Sequence, residues 1–153
     1  MRWPTARDAV RFAGATVKSN RASAWRGLVD GAWVIWRLRR GAAKRVLPQP
    51  RIVDVTPASI ERARAVSTAV DAGLGVLPVE ATCLRRSVTL LRELRRRKLP
   101  GRLYIGIRRN GSRIEAHAWV DAGEAVINDD PALTASYDVI SAGELERFLP
   151  ALR

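Results

Sequence analysis

The sequence predicts an α+β fold, with helices first, a run of antiparallel strands next and a short helix last. Three observations carry this. Apolar residues recur every three or four positions up to about residue 97, the period shortens to two between residues 103 and 120, and Asn110-Gly111 interrupts that alternation with the strongest short hairpin signal. No internal repeat or low-complexity tract breaks the order.

Residues 1–47 read as helical. In AWRGLVDGAWVIWRLRRGAAKRVL, Leu28, Ala32, Ile35, Leu38 and Ala42 keep helical spacing, with Arg37, Arg39 and Arg40 between them. Trp25, Trp33 and Trp36 could stack bases or lie on lipid, but at that spacing aromatics fit core or interface packing better. Leu47-Pro48-Gln49-Pro50 then ends any helix, because proline lacks the amide hydrogen and restricts the residue before it. The break divides the chain into an N-terminal helical segment, residues 1–50, and a domain of residues 51–153.

Thr56-Pro57 has the form of an N-cap followed by a first helical residue, and Ile60, Ala63, Ser67, Val70 and Leu74 make a narrow stripe behind it. That helix ends in GLGVLP. Thr82 caps the next, whose inner face is Ser87, Leu90, Leu91 and Leu94, with Arg85, Arg92, Arg95 and Arg96 outward and Cys83 in its first turn. KLPG closes it. Leu103, Ile105 and Ile107 alternate with Tyr104, Gly106 and Arg108 in one strand, and Ile114, Ala116, Ala118 and Val120 with Glu115, His117, Trp119 and Asp121 in the next. A turn at Ala122-Gly123-Glu124 leads to AVIND, YDVI suggests a further strand, and Ser141 with Glu144 forms a capping box ahead of Leu145, Phe148 and Leu149.

At 153 residues the chain is long enough to bury a core without disulfides. It has one cysteine, so no intrachain bridge is possible and a cytoplasmic location is expected. The start mixes Arg7, Asp8 and Arg11 into its apolar residues, unlike a secretory signal, and the apolar stretches are too short to span a bilayer. With 27 Lys and Arg against 15 Asp and Glu, the net charge is +12, which raises encounter rates with any polyanion without choosing among nucleic acid, an anionic membrane surface and an acidic polypeptide. A GC-rich bacterial genome would produce the same arginine bias without functional cause.

The single cysteine and single histidine are the residues that suit chemistry. Cys83 falls at a helix start, where the positive end of the helix favours a thiolate and first-turn amides can hold an oxyanion. His117 lies on the polar side of its strand, where it can act as a base if a third group fixes its tautomer. Two candidates follow. A three-residue loop Ala122–Glu124 puts Asp129 across from His117, whereas a two-residue loop Ala122-Gly123 puts Asn128 there. Asp130 fits better as the start of the turn at Pro131. A buried cysteine and a satisfied structural histidine are the plain alternatives. One cysteine and one histidine make a poor start for a closed zinc site, so no metal is expected.

TCLRRSVTLLRELRRRKLPGRLYIGIRR, residues 82–109, followed by AHAWVDAGEAVINDD, residues 116–130, resembles the bacterial lasso-peptide maturation peptidase, a small cysteine protease of the transglutaminase-like superfamily. The similarity covers about residues 78–140, and where that family most often has glutamate after His-Ala-Trp-Val this chain has Asp121. The resemblance implies a papain- and transglutaminase-like core in residues 51–153 and a Cys-His-Asp triad whose aspartate follows the histidine by twelve residues, which selects Asp129. It implies cleavage of the leader from a lasso precursor peptide, presented by a separate leader-recognition protein, before a separate ATP-dependent cyclase closes the ring. No intrinsic cofactor is expected, and an ATP effect on the cleavage is left open. In this reading Cys83 attacks, His117 moves the proton, Asp129 orients the imidazole and Trp119 shapes or shields the substrate site. The basic surface would steer an acidic leader. Two rivals remain: acyl transfer to an amine by the same triad, as a transglutaminase performs, and a non-enzymatic basic module for nucleic acid, which the paired cysteine and histidine disfavour.

Overall fold

The computed structural model describes residues 29–33, 53–77 and 82–140. Within them, residues 29–33 are helical, as expected for that stretch. The rest of the N-terminal pattern, including Trp25, Trp36 and Leu47 to Pro50, lies outside the described residues, as does the Ser141–Glu144 capping box.

Helix α1 spans Pro57–Leu74 and starts where local chemistry places it. Thr56 Oγ1 accepts from the Ser59 amide at 3.2 Å while Ser59 Oγ accepts from the Thr56 amide at 2.9 Å, a reciprocal cap with serine in the position that glutamate or glutamine usually takes. Ala63, Ser67, Val70 and Leu74 are buried as expected and Ile60 is half-buried. Val66, Ala69 and Gly73 widen the stripe. The Gly75 amide ends the helix on the Asp71 carbonyl at 2.9 Å.

Helix α2 spans Cys83–Arg96, with Thr82 at the N-cap position and Cys83 first in the helix. Its burial exceeds the expected inner face, since Val88, Thr89 and Glu93 are buried beside Ser87, Leu90, Leu91 and Leu94. The cause is a third neighbour. Trp33 packs on Val88 and lies 4.1 Å above the Arg92 guanidinium, and Asp30 pairs with Arg96. Two of the arginines read as outward therefore cover residues 29–33. Glu93, 1% exposed, pairs with Arg96 and Arg97. The helix closes in a Schellman turn: the Leu99 amide reaches the Leu94 carbonyl at 2.9 Å and the Lys98 amide the Arg95 carbonyl at 3.0 Å, with Lys98 left-handed at φ 55°.

The sheet is antiparallel, in the order β3-β2-β1-β4, and comprises β1 Arg102–Asn110, β2 Arg113–Ala122, β3 Ala125–Val126 and β4 Asp138–Val139, with the short helix α3 Pro131–Thr134 before β4. Asn110 pairs with Arg113, so the first hairpin turns on Gly111-Ser112 with Gly111 at φ 61°, a glycine-first turn suited to strand twist. The second hairpin differs from both sequence readings. Asp121 pairs with Val126 and Ala122 with Ala125, leaving Gly123-Glu124 as the loop. Gly123 takes the positive φ of 66° that this position requires, and Val55 lies close enough that a Cβ there would meet it at 3.1 Å. Asp130 caps α3 through the Ala132 amide, as expected. The layers are α1 on α2 and α2 on the β1–β2 ribbon, with Leu90, Leu94, Val70, Val120, Leu99 and Ile127 in one core cluster.

Candidate active site

The pleat of β2 sends Ala118, Val120 and Ala122 into the core and turns Glu115, His117, Trp119 and Asp121 to the other face. Since β3 pairs only with Asp121 and Ala122, β3 does not cover the edge of β2 beside His117. The chain leaves the ladder after the Ile127 amide bonds to the Val120 carbonyl. Asn128 Oδ1 then accepts from the Val120 amide at 2.8 Å, taking the place of a continuing strand. That side-chain bond frees the next residue from strand register. Asp129 Oδ2 comes to 2.6 Å from His117 Nε2, with the two side chains 13% and 12% exposed. Asp129 Oδ1 accepts from the Asp130 amide at 2.9 Å, so both carboxylate oxygens are engaged.

Of the acid and the amide weighed from the sequence, Asp129 meets the imidazole and Asn128 braces the backbone. A carboxylate at Nε2 favours the tautomer carrying its proton there, which leaves Nδ1 as the basic nitrogen.

Cys83 is a half-buried free thiol at the first position of α2. Ser87, one turn further along the helix, anchors this end to the histidine strand: its Oγ donates to the Ala118 carbonyl at 2.9 Å and accepts from Asn128 Nδ2 at 2.9 Å. A single hydroxyl on the cysteine helix thus holds the neighbours of both His117 and Asp129. Among the described residues no hydrogen bond joins the Cys83 thiol to the imidazole. The Thr82 side chain makes no capping bond to the amides of the first turn.

Arg86, three residues after Cys83 on α2, is tied down from α1. Its Nε and Nη2 bond both oxygens of Asp71 on α1, at 2.9 and 2.8 Å. Burial opposes its charge, but the hydrogen bond and charge of Asp71, and then the charges of Asp129 and Cys83, outweigh it and hold the guanidinium above its ordinary pKa.

Aromatic rings stack along the same face of the sheet. Tyr104 lies 6.0 Å from Trp119, Trp119 6.1 Å from His117 and His117 5.2 Å from Tyr137, all within 30° of parallel. Trp119 is 3% exposed and forms the wall behind the imidazole. Gly106, paired with His117, makes room for this stack: a Cβ there would stand 2.7 Å from Tyr137 Cβ and 3.0 Å from the Trp119 ring. Asp121, the acid after His-Ala-Trp-Val, has its carboxyl pKa raised by burial, partly offset by the Trp119 indole donor, and its buried Oδ1 has no hydrogen-bond partner among the described residues.

Sequence reading missed Tyr137, Arg86, Asp71 and the bracing role of Ser87 with Asn128. Only Ser87 carried a signal, as a polar residue on a buried helix face, which must find a hydrogen-bond partner.

A cysteine at a helix start, packed against a strand that carries a histidine bonded to an aspartate, defines the class: an α+β protein with the layout of a cysteine-dependent acyl-transfer enzyme. The family model of the transglutaminase-like superfamily matches residues 25–142, and the chain belongs to that superfamily. Its members generally are cysteine proteases and acyltransferases. No curated protein and no solved structure matches the chain. No helix of the described residues is long and apolar enough to cross a membrane.

Proposed function

We propose that this protein is a cysteine peptidase that removes the leader from a lasso precursor peptide, with Cys83 as nucleophile, His117 as general base and acid, and Asp129 as the group that orients the imidazole. The observation that carries the reading is the 2.6 Å His117–Asp129 bond, held by Asn128 and Ser87 against the helix whose first residue is the single cysteine. The likeness of residues 78–140 to lasso leader peptidases supplies the substrate class.

In the reaction, His117 Nδ1 takes the thiol proton and the sulfur attacks the carbonyl carbon of the leader–core bond. First-turn amides of α2, led by that of Cys83, hold the oxyanion. The tetrahedral intermediate collapses as the imidazolium gives its proton to the leaving core amine, which leaves a thioester on Cys83. His117 then deprotonates water, which attacks the thioester carbonyl; the leader departs with a carboxyl group and the thiol is restored. Asp129 steadies the imidazolium in both halves. Trp119 and Tyr137, which also touch each other, pack against the ring and hold its orientation.

The test combines the protein with a leader-recognition protein and precursor from its own gene neighbourhood and follows the products by mass. Wild type should release core and leader, and Cys83→Ala should release neither. Equal cleavage by Cys83→Ala would refute the reading. The superfamily match favours one alternative, transfer of the same acyl group to an amine. An added primary amine would then appear in the leader product as a mass increase with loss of water, in place of the free carboxyl.

A further inference from the structure

We propose that Arg108 of β1 is a positioning residue for the imidazole: clasped by Glu115, it seats Tyr137 on the ring of His117 and so fixes the plane in which the base works. The inference rests on His117 being the base of the reaction proposed above.

The pleat explains why these residues meet. Gly106 pairs with His117 and Arg108 with Glu115, so the two pairs are successive rungs of one face of the ribbon. Gly106 adds no side chain to its rung, and Tyr137 fills the place: a Cβ on Gly106 would stand 2.7 Å from Tyr137 Cβ. Tyr137 itself comes from the turn between α3 and β4. A ring borne on a turn keeps its place only where neighbours hold it.

Arg108 holds it with one planar group used three ways. Nε donates to Glu115 Oε2 at 2.7 Å, Nη1 donates to Ser136 Oγ at 3.0 Å, and the guanidinium lies over the Tyr137 ring, its carbon 4.5 Å from the centroid. Ser136 Oγ in turn donates to the Leu133 carbonyl at 2.6 Å, which ties the clasp to the end of α3. Glu115 is steadied from the hairpin, its other oxygen accepting from Asn110 Nδ2 at 2.8 Å. A lysine could keep the ion pair, but it has no planar fork with which to reach Ser136 and cover the ring together.

The clasp acts on the loop that serves His117 twice. Residues 128–137 bring Asp129 to Nε2 at 2.6 Å and the Tyr137 ring to the imidazole, with centroids 5.2 Å and planes 29° apart. Asn128 anchors the start of that loop on the Val120 amide and on Ser87, and Arg108 anchors its end. An ion pair as exposed as this one, at 33% and 36%, contributes little to stability, so its geometry points to orientation rather than strength.

The test reads the ring itself. The chain has one histidine, so the carbon-bound imidazole protons of His117 give unambiguous NMR signals, which the ring current of Tyr137 displaces. Tyr137→Leu, compared with wild type at the high-pH plateau, defines the displacement caused by losing that ring. Arg108→Ala and Arg108→Lys should each give most of it, while melting within a few degrees of wild type. In the leader-cleavage assay both should lower kcat by about tenfold with KM within about twofold, since only the base is misplaced. Wild-type His117 signals in Arg108→Lys would reduce the clasp to an ion pair and overturn the proposal, as would an unchanged kcat in either variant. If Arg108→Ala fails to fold, Arg108→Lys decides alone. A wild-type protein that cleaves no leader would sink the peptidase reading, and the NMR comparison, which needs no substrate, would still decide whether Arg108 places the ring.

Discussion

At the scale of single residues, the histidine is held by what is missing as much as by what is present. Gly106 has no side chain where Tyr137 and Trp119 crowd together, and the Arg108 guanidinium lies 4.5 Å from the other end of the stack, over Tyr137. A methyl group at Gly106 must push one of the two rings away from His117. At Gly111 a Cβ would meet open space, but the residue sits at φ 61° and the strain is in the backbone alone. Gly106→Ala and Gly111→Ala should each cost about 1–3 kcal/mol in chemical denaturation, by overpacking in the first case and left-handed strain in the second. Only Gly106→Ala should also slow leader cleavage, by about tenfold or more, since a displaced imidazole lowers turnover out of proportion to stability. Equal cleavage rates in the two variants would show that the stack is packing and does not orient the base.

At the scale of elements, the helix boundaries were legible because their causes are local. Thr56-Pro57 announces a helix start through a cap that forms, whereas Thr82 marks the next start by position only, its side chain making no capping bond. The alternation of β1 and β2 was equally plain. The second hairpin was not, because Ala122, Gly123 and Glu124 suit several loops, and the choice depends on Gly123 meeting Val55 from a segment about seventy residues earlier. Pattern alone left Asp129 and Asn128 open and only the family resemblance selects Asp129, because the physical route to it, an Asn128 side chain ending the ladder early, leaves no periodic trace. Arg86 was hidden for the opposite reason: α2 is so rich in arginine that pattern alone gives none of them a distinct task. The end of α2 carries a readable strain. Lys98 occupies the left-handed position of the Schellman turn, where glycine pays no steric penalty, and its side chain is exposed. Lys98→Gly should therefore stabilise the protein by up to about 1 kcal/mol in urea unfolding, the relief of left-handed strain exceeding the added freedom of the unfolded chain. A destabilised variant would mean that the lysine contributes more through its surroundings than its backbone costs.

At the scale of the whole molecule, the question is where the folded unit begins. The proline break at Leu47 to Pro50 suggested a domain starting at residue 51, with the segment before it an appendage. Yet residues 29–33 supply contacts that the helices do not replace. Asp30, 7% exposed, pairs with Arg96; Trp33 covers Arg92 and Val88; and Gly31 lies so near Leu74 that a Cβ would approach its side chain to 2.3 Å. The superfamily match likewise begins at residue 25. The Asp30 and Trp33 contacts fall on α2 between Val88 and Arg96 and the Gly31 contact on the end of α1, so their loss would loosen the helix that presents the nucleophile. Removal of Asp30 also leaves Arg96 and Arg97 sharing the buried Glu93 with one carboxylate fewer among them. A chain beginning at residue 25 should keep the melting temperature of the full protein to within a few degrees, whereas one beginning at residue 51 should melt at least about 10 °C lower or fail to fold. Matching melts for the two truncations would restore the proline break as the true boundary and reduce residues 29–33 to a decoration on α2.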